Sequence, residues 1–584
     1  MRYVNACAIV VRLIAVLVLA GWACGAEAQE PKPGEKLVAR GDDPDGTDRN
    51  AVRAVVPVDQ TSCVPRPQPA ATDYLIGAYY YPGWNRTDAW DVLQRFFPER
   101  RPLLGWHHVG NPEVVDWQIK WAVEHGVRFF VYDWYWAKGY QRLDEGLHSG
   151  LFHARYQDLI KFCLLYANHP PFNPEDSYSP ENLEKVAQFW IANYFKRPNH
   201  LTVDGRPVLI IYSPPQLRQM GPEKVKPAFG RIRAVCREAG LPGLYLCGVG
   251  PDPSNSRSPA YRQMLETMKD EGYDAVTAYH WSARLNATPA ELAARRSPFA
   301  ACAEGYRKVW NDIADANVIK LIPPISSGWD CRPWSGGASP VRTDRTPEQF
   351  KKHLLDCKAF LDDREQAPKL KMAVIGAWNE WTEGSYIEPD STNRFGYLEA
   401  IRQVFAPQSP KPAEVLPADV GLGPYDLPAV PFATAWDFTG ASTTLGWGSY
   451  LGPLRVADGA LRFTTRTFGP VPTSTAVCIP AAEYRQFVIR VSASRDVPAR
   501  LMWGTPSYGL PGYRIGGRPI RDGEEAPFVE FLIKRSDQPQ EIKVSLADHP
   551  LWRDTITVLQ FVAGPESGKY EGIDIAIQSM AMTQ

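Results

Sequence analysis

An excess of positive or negative charge is missing from this sequence of 584 residues. Its 64 Lys and Arg oppose 65 Asp and Glu, a net charge of −1, which leaves no electrostatic footprint for nucleic acid or an anionic membrane surface. Phosphate cradles are missing too. No P-loop and no G-x-S-x-G elbow occurs, and no G-x-G-x-x-G follows the first strand-like run, so nothing predicts a nucleotide cofactor or a serine hydrolase. No internal repeat of about 20–50 residues is present, which argues against a solenoid or propeller. The ten cysteines are scattered. Cys7 and Cys24 lie in an N-terminal apolar segment, and Cys63, Cys163, Cys236, Cys247, Cys302, Cys331, Cys357 and Cys478 are too widely spaced for a zinc site or a disulfide scaffold. His107-His108 lacks a third ligand at metal spacing, so no metal and no cofactor is expected.

What is present is aromatic. Trp, Tyr and Phe make up 12% of the chain, with 19 Trp and 26 Tyr, a supply that serves large cores or stacks on the C–H faces of sugar rings. At the N-terminus, Arg2 and Arg12 flank the start of an apolar stretch that includes LIAVLVLAGWA, and Ala26-Glu27-Ala28 fits a cleavage site. Residues 1–28 are therefore expected to be a signal peptide, the mature chain being secreted, periplasmic or held at the cell surface, without an integral membrane span. Residues 29–72, polar and rich in Pro, Asp and Arg, read as a disordered leader.

Between residues 73 and 405, eight apolar runs alternate with segments of helical period. The runs are YLIGAYYYP, VRFFVYDWYW, LIKFCLLYAN, PVLIIYSP, GLYLCGVG, YDAVTAYHW, VIKLIPPIS and LKMAVIGAWNE, with helices expected at 113–125, 179–195, 223–239, 258–271, 298–315, 346–362 and 395–405. In TPEQFKKHLLDCKAFL, Thr346 can cap, Pro347 fits the first turn, and Phe350, Leu354, Leu355 and Phe360 form an inner stripe. Strands alternating with helices imply a parallel sheet. Eight units predict an α/β fold, a (β/α)8 TIM barrel, with an open doubly wound sheet as the alternative. Residues 406–431 hold seven prolines and read as a semi-stiff linker or a surface strap. From 432 to 584, short alternating segments divided by turn signals such as Asp458-Gly459 predict an antiparallel β-sandwich domain.

Polar residues at the C-terminal ends of such strands face a shared mouth. The residues expected there are Tyr80 and Trp84 from the first unit, Asp133 and Trp134 from the second, Tyr166 and Asn168 from the third, and Tyr212 from the fourth. Tyr279 and His280 come from the sixth, Trp329 and Asp330 from the seventh, and Trp378, Asn379 and Trp381 from the eighth. A mouth rich in aromatics and poor in cations suits a neutral, hydroxyl-rich ring. Cleaving a glycosidic bond requires one group to protonate the leaving oxygen and another to supply electron density or remove a proton. Glu380 and Glu383, three apart, can present both carboxyls to one side, and mutual repulsion pushes their pKa values apart. The bland alternative is a turn cap and an arginine partner.

The segments GAYYYPGW, VRFFVYDWYW, GRPVLIIY, SSGWDCRPW and AWNEWTEGSYIEPD, in this order, resemble the glycoside hydrolase family 99-like group. That group includes WbsX-like proteins, endo-α-mannosidases and endo-α-mannanases. The resemblance implies a (β/α)8 barrel and a retaining hydrolase acting through a 1,2-anhydro sugar. By position, Glu380 would assist the sugar 2-hydroxyl and Glu383 would be the acid/base, with Tyr212 and Tyr279 lining the −1 subsite. Two departures place the chain nearer the WbsX-like branch. Thr382 stands where the mannosidases carry histidine, and YANHPP replaces their third-strand Glu-Pro-Tyr element. The sandwich more loosely resembles carbohydrate-binding modules; Trp447, Trp503, Tyr508 and Trp552 could form a stacking platform, or else are core or dock onto the barrel. The expected partner is a glycan substrate, with no nucleic acid and no nucleotide. A glycosyltransferase-related role in surface polysaccharide assembly and a non-catalytic glycan-binding role stand as alternatives.

Overall fold

The computed structural model describes residues 64–85, 89–137, 140–168, 178–250, 253–281, 286–335, 340–363, 371–427, 432–449, 454–466, 471–474, 477–505, 526–565 and 569–584. The expected signal peptide, most of the leader, Cys63 and Tyr508 lie outside them. The final residues of the expected leader are ordered: Val64 is buried, and the Ala70 amide donates to the Val123 carbonyl.

The alternating segment folds as β1 (Leu75–Tyr80), α1 (Pro112–Glu124), β2 (Val127–Ala137), β3 (Lys161–Tyr166), α2 (Pro180–Trp190), β4 (Arg206–Ile211), α3 (Pro222–Glu238), β5 (Tyr245–Val249), α4 (Pro259–Glu271) and β6 (Ala275–Thr277). It continues through α5 (Phe299–Ala316), β7 in two pieces (Lys320–Leu321 and Pro324–Ser326), α6 (Pro347–Asp363), β8 (Met372–Gly376) and α7 (Gly396–Phe405). Proline at the first turn starts α1, α2, α3, α4 and α6, where its missing N–H costs nothing. Side chains of Asn111, Ser179 and Ser258 cap α1, α2 and α4, and the Thr346 hydroxyl accepts from the Gln349 amide at 3.2 Å. In α6, Phe350, His353, Leu354, Cys357, Phe360 and Leu361 are buried. Leu355 falls outside the stripe expected for it and is 49% exposed, because a step of one residue turns the helix about 100° away from Leu354.

All ring pairings are parallel: β1 with β2, β2 with β3, β3 with β4, β4 with β5, β5 with β6, and β8 with β1. Strand seven closes the ring by dividing its partners. Lys320 and Leu321 pair with β6, while Pro324, Ile325 and Ser326 pair with β8. Pro323 and Pro324 have no N–H to give, so the ladder breaks there. The Ile322 amide still reaches the Val276 carbonyl, and the Pro323 carbonyl accepts from Val374. The result is a (β/α)8 barrel.

Strand alternation divides the aromatic residues into two layers. Tyr79, Phe129, Val131, Cys163, Leu165, Ile210 and Cys247 fill the barrel interior with neighbours of the same parity. Tyr80, Phe130, Tyr132, Trp134, Tyr166 and Trp378 pack outward with the helices.

The proline-rich segment lies as a strap against the barrel. Tyr425 and Leu427 amides donate to the Leu104 and Trp106 carbonyls, and Trp117 Nε1 donates to the Tyr425 hydroxyl. Beyond it come two antiparallel sheets. One orders Arg455–Ala457, Ala460–Thr464, Asp574–Thr583, Gln486–Ala493 and Ser536–Ser545, and the other Trp447–Gly448, Thr473–Ser474, Val558–Ala563, Val497–Gly504 and Phe528–Ile533. Asp458 and Gly459 both take positive φ in the hairpin turn, as a type I′ turn requires. Trp447, Trp503 and Trp552 belong to the core between these sheets. Of the alternatives left open for them, core is the one observed.

At Gly376, β8 lies close against the chain leaving β6. A Cβ there would lie 2.6 Å from the Tyr279 carbonyl oxygen and 2.9 Å from His280 Cε1. Gly376→Ala is therefore expected to destabilise the barrel by about 1–3 kcal/mol. Gly230→Ala, in α3 with nothing near its added methyl, should instead stabilise by about 0.5–1 kcal/mol. Urea denaturation of both variants checks the pair; equal midpoints would contradict the close approach.

Candidate active site

The chain leaves β8 along a backbone fixed from three sides. The Trp378 amide donates to the Tyr79 carbonyl at 2.6 Å. The Asn379 side chain then continues the pairing with β1: its Oδ1 accepts from the Tyr81 amide at 2.7 Å, and its Nδ2 donates to the Tyr81 carbonyl at 3.0 Å. Asn379 and Glu380 pair back onto Tyr386 and Ser385 in a small antiparallel ladder. Between these strands lies one 3₁₀ turn, Trp381–Glu383, closed by Gly384 at φ 59°. A Cβ on Gly384 would meet Asp330 Cβ at 2.8 Å, so glycine serves both the left-handed turn and the packing. Glu380 and Glu383 thus sit on one tight hairpin.

Asp330 and Arg100 clamp the Glu383 end. The Asp330 amide donates to the Glu383 carbonyl at 2.5 Å, and Arg100 Nη1 donates to the Trp381 carbonyl at 3.0 Å and the Asp330 carbonyl at 3.1 Å. Arg100 also pairs with the Asp330 carboxylate, as does Arg332. Burial pushes the Asp330 carboxyl up, but the two guanidiniums outweigh it and hold it below its ordinary value. Asp330 therefore has its carboxylate occupied by protein cations.

Three carboxyls gather at the mouth. Tyr279 places its hydroxyl 2.7 Å from Glu380 Oε1 and 3.2 Å from Asp133 Oδ2. Glu380 is 7% exposed and Asp133 5%. Burial pushes Glu380 up to about 7, against the Tyr279 hydrogen bond that lowers it. Glu383 is raised well above the carboxylate range by burial, then by the charges of Glu380 and Asp133. Among the described residues no guanidinium or ammonium bonds any of the three. Tyr135, Tyr212 and Tyr279 surround them, each phenol pushed up first by burial and then by these carboxylates. Ring centroids of Tyr212 and Tyr279 lie 6.1 Å apart, and Tyr79 lies 4.6 Å from Tyr279.

His280 Nε2 stands 3.9 Å from Glu383 Oε2 and 3.0 Å from Ser385 Oγ. The Ser385 hydroxyl donates to the Gly376 carbonyl at 2.7 Å. Its one hydrogen is thereby used, which assigns Nε2–H of the imidazole as the donor to Ser385 Oγ. Burial lowers His280 to about 3, so the ring is neutral. Trp329 packs edge-on against it at 4.9 Å.

The structure therefore brings Glu380, Glu383, Asp133, Tyr212, Tyr279, His280 and Trp329 together. It places the other expected residues elsewhere. Tyr80, Trp134, Tyr166 and Trp378 point outward into the helix layer. Tyr80 donates to Gln118 Oε1, and Trp134 packs against Trp190. Trp84 is stacked on Trp90 at 4.0 Å and donates to the Asn379 carbonyl, while Trp381 is stacked on Tyr386 and donates to Glu388. Asn168 uses both ends of its amide on the Ser213 backbone. Asn379 and Asp330 are framework, as described above. Tyr81 and Tyr135, one residue from Tyr80 and Trp134, have the parity that faces the mouth, and strand alternation was the signal available for choosing them. Arg100 and Ser385 carried no such signal. His169 lies outside the described residues.

Residues 94–401 match the family described as Glycosyltransferase WbsX. A curated relative, the uncharacterized protein WxcX of Xanthomonas campestris pv. campestris strain B100, is 26% identical over 384 residues, covering 59% of this chain and 51% of the relative. The chain thus spans about half the length of the curated relatives it matches. Among solved structures, a GH99 endo-α-mannosidase of Bacteroides thetaiotaomicron is 17% identical with a TM-score of 0.40, covering 57% of this chain and 96% of that one. A structure described as a glycoside hydrolase-like protein is 18% identical with a TM-score of 0.41, covering 59% and 98%. The match over more than half of its length shows that this chain belongs to the WbsX family.

Proposed function

We propose that this chain is an exported glycoside hydrolase acting on a poly- or oligosaccharide with an accessible 2-hydroxyl. The observation that carries the reading is the hairpin that sets two carboxyls side by side, of which Glu380 takes a 2.7 Å hydrogen bond from the Tyr279 phenol. Glu383, whose proton affinity burial raises well above the ordinary value, serves as the acid. Glu380, bonded to Tyr279 and raised only to about 7, is the group able to act as the anion. Glu380 removes the proton of the sugar 2-hydroxyl. That oxygen attacks C1 as the glycosidic C–O bond breaks, and Glu383 protonates the departing oxygen. Water, deprotonated by Glu383, then opens the 1,2-anhydro ring at C1, and O2 regains its proton from Glu380. Phenol and indole edges around the pair suit a sugar ring. The two-sheet C-terminal region is proposed to act as a carbohydrate-binding module.

The family description, Glycosyltransferase WbsX, supports a second reading in which the same carboxyls activate an acceptor hydroxyl for transfer. Incubation with a polysaccharide panel and, separately, with nucleotide sugars divides the two readings. Release of reducing ends supports hydrolysis, and sugar transfer from nucleotide donors would overturn it.

Glu380→Gln and Glu383→Gln should each lower kcat by about 10²–10⁴ while glycan binding, followed by calorimetry, persists. Normal turnover in both variants would remove the pair from the mechanism. In the wild type, kcat/KM should fall as pH drops through about 7, where Glu380 takes up a proton. A flat profile between pH about 5 and 8 would contradict the assignment of Glu380 as the base.

A further inference from the structure

Asp133 has no part in the proton transfers proposed above, yet it touches the group that holds Glu380. The Tyr279 hydroxyl lies against two carboxyls, 2.7 Å from Glu380 Oε1 and 3.2 Å from Asp133 Oδ2. A phenol has one hydrogen. It can donate to one of these oxygens, and the other contact is attractive only if the second carboxyl itself carries a proton. The shorter contact is the one expected for a donor facing an anion, which gives the hydrogen to Glu380. Asp133 is then the proton carrier.

The surroundings of Asp133 agree. It is 5% exposed, and its other oxygen, Oδ1, is buried with no hydrogen-bond partner. An anionic oxygen in that position would have no protein donor, a costlier state than the carbonyl oxygen of a neutral acid. The titratable groups facing it are Tyr79 from β1, Tyr135 from its own strand, Tyr279 at the end of β6, Tyr212 just beyond β4, and Glu380 and Glu383 from the hairpin. None of these is a cation.

We propose that Asp133 is a positioning residue: it carries a proton, donates it through Oδ2–H to the Tyr279 oxygen, and so commits the Tyr279 hydrogen to Glu380, holding that carboxyl as the anion. The sequence Asp133–Tyr279–Glu380 is a hydrogen-bond chain running from β2 across β6 to the hairpin. No bond to substrate forms along it. Its effect is to keep Glu380 competent as a base in a site where burial favours protonation. This rests on the reading of Glu380 as the base, but the protonation of Asp133 does not.

Two measurements on the full-length protein separate these claims. Infrared difference spectra of wild type against Asp133→Asn at neutral pH, without substrate, should show the loss of one carboxylic-acid C=O band. A spectrum in which only carboxylate bands change would mean that Asp133 is ionised and would overturn the proposal, whatever the enzyme does. The acid limb of kcat/KM gives the second readout. Asp133→Asn keeps an N–H donor toward Tyr279 and should leave the limb in place. Asp133→Leu and Tyr279→Phe, which break the chain at either link, should both move it to higher pH, by about one unit or tenfold in proton concentration. A limb that moves to lower pH in Asp133→Asn would show that a like charge had been removed, which also overturns the proposal. If no hydrolysis is found in the wild type, the hydrolase reading fails and the infrared result still decides the state of Asp133.

Discussion

The Asn379 carboxamide bonds both backbone groups of Tyr81, and the geometry of the mouth depends on that pair of hydrogen bonds. A strand that simply ran on after Gly376 would continue the ladder and present its residues alternately to the interior and to the helices. By closing the seam with a side chain instead of a peptide, Asn379 frees its own backbone to turn into the hairpin with Tyr386. Glu380 then follows within one residue of the barrel wall. This position lets a rigid sheet, and not a long loop, set where the carboxyl lies. A site assembled on sheet edges holds tighter tolerances than one assembled on loops.

Such a position carries an electrostatic cost. Three carboxyls with no cation bonded to them can be buried together only if protons neutralise most of the charge. The Tyr279 phenol contributes a hydrogen bond without adding positive charge, so it moderates the repulsion without cancelling it. The opposite solution operates a few residues away at Asp330, where Arg100 and Arg332 hold the carboxylate ionised. Comparing the two carboxylate environments explains their roles. Asp330 is locked as a permanent anion and holds the hairpin in place. Glu380 and Glu383 have no such fixed cation, which is the property the proposed acid–base chemistry requires.

Most of this architecture was legible in the chain. Each apolar run became a strand and each helical-period segment a helix, with ends shifted by a few residues, because proline-led first turns and side-chain caps mark boundaries locally. The residues placed elsewhere share a physical cause. Tyr80, Trp134, Tyr166 and Trp378 stand at strand ends but on the face turned to the helices. A shift of one residue moves a strand side chain from the interior to the helix layer. Asp133 has the inward parity of Phe129 and Val131, and with it goes Tyr135. Leu355 shows the same limit on a helix. The clamp formed by Arg100 was illegible for a different reason: it is 230 residues from Asp330 in sequence, and nothing local distinguishes it from any other surface-type arginine.

Barrel closure and site geometry also share a single carbonyl. Pro323 and Pro324 interrupt strand seven, so its second piece pairs only with β8 and carries Ser326 and Ser327 to the end of that strand. There the Gly376 carbonyl accepts from the Ser327 amide at 2.9 Å, the Ser327 hydroxyl at 2.6 Å and the Ser385 hydroxyl at 2.7 Å. Because Ser385 spends its hydrogen on that carbonyl, its oxygen remains for His280, and the neutral imidazole is held with its Nε2–H turned toward Ser385. Glu383 Oε2, 3.9 Å from the same nitrogen and itself without a hydrogen-bond partner, receives no cation and no short bond from it. The seam that closes the barrel thus also leaves that oxygen of the proposed acid without a hydrogen-bond donor, so nothing offsets the burial and the neighbouring carboxyls that raise its proton affinity.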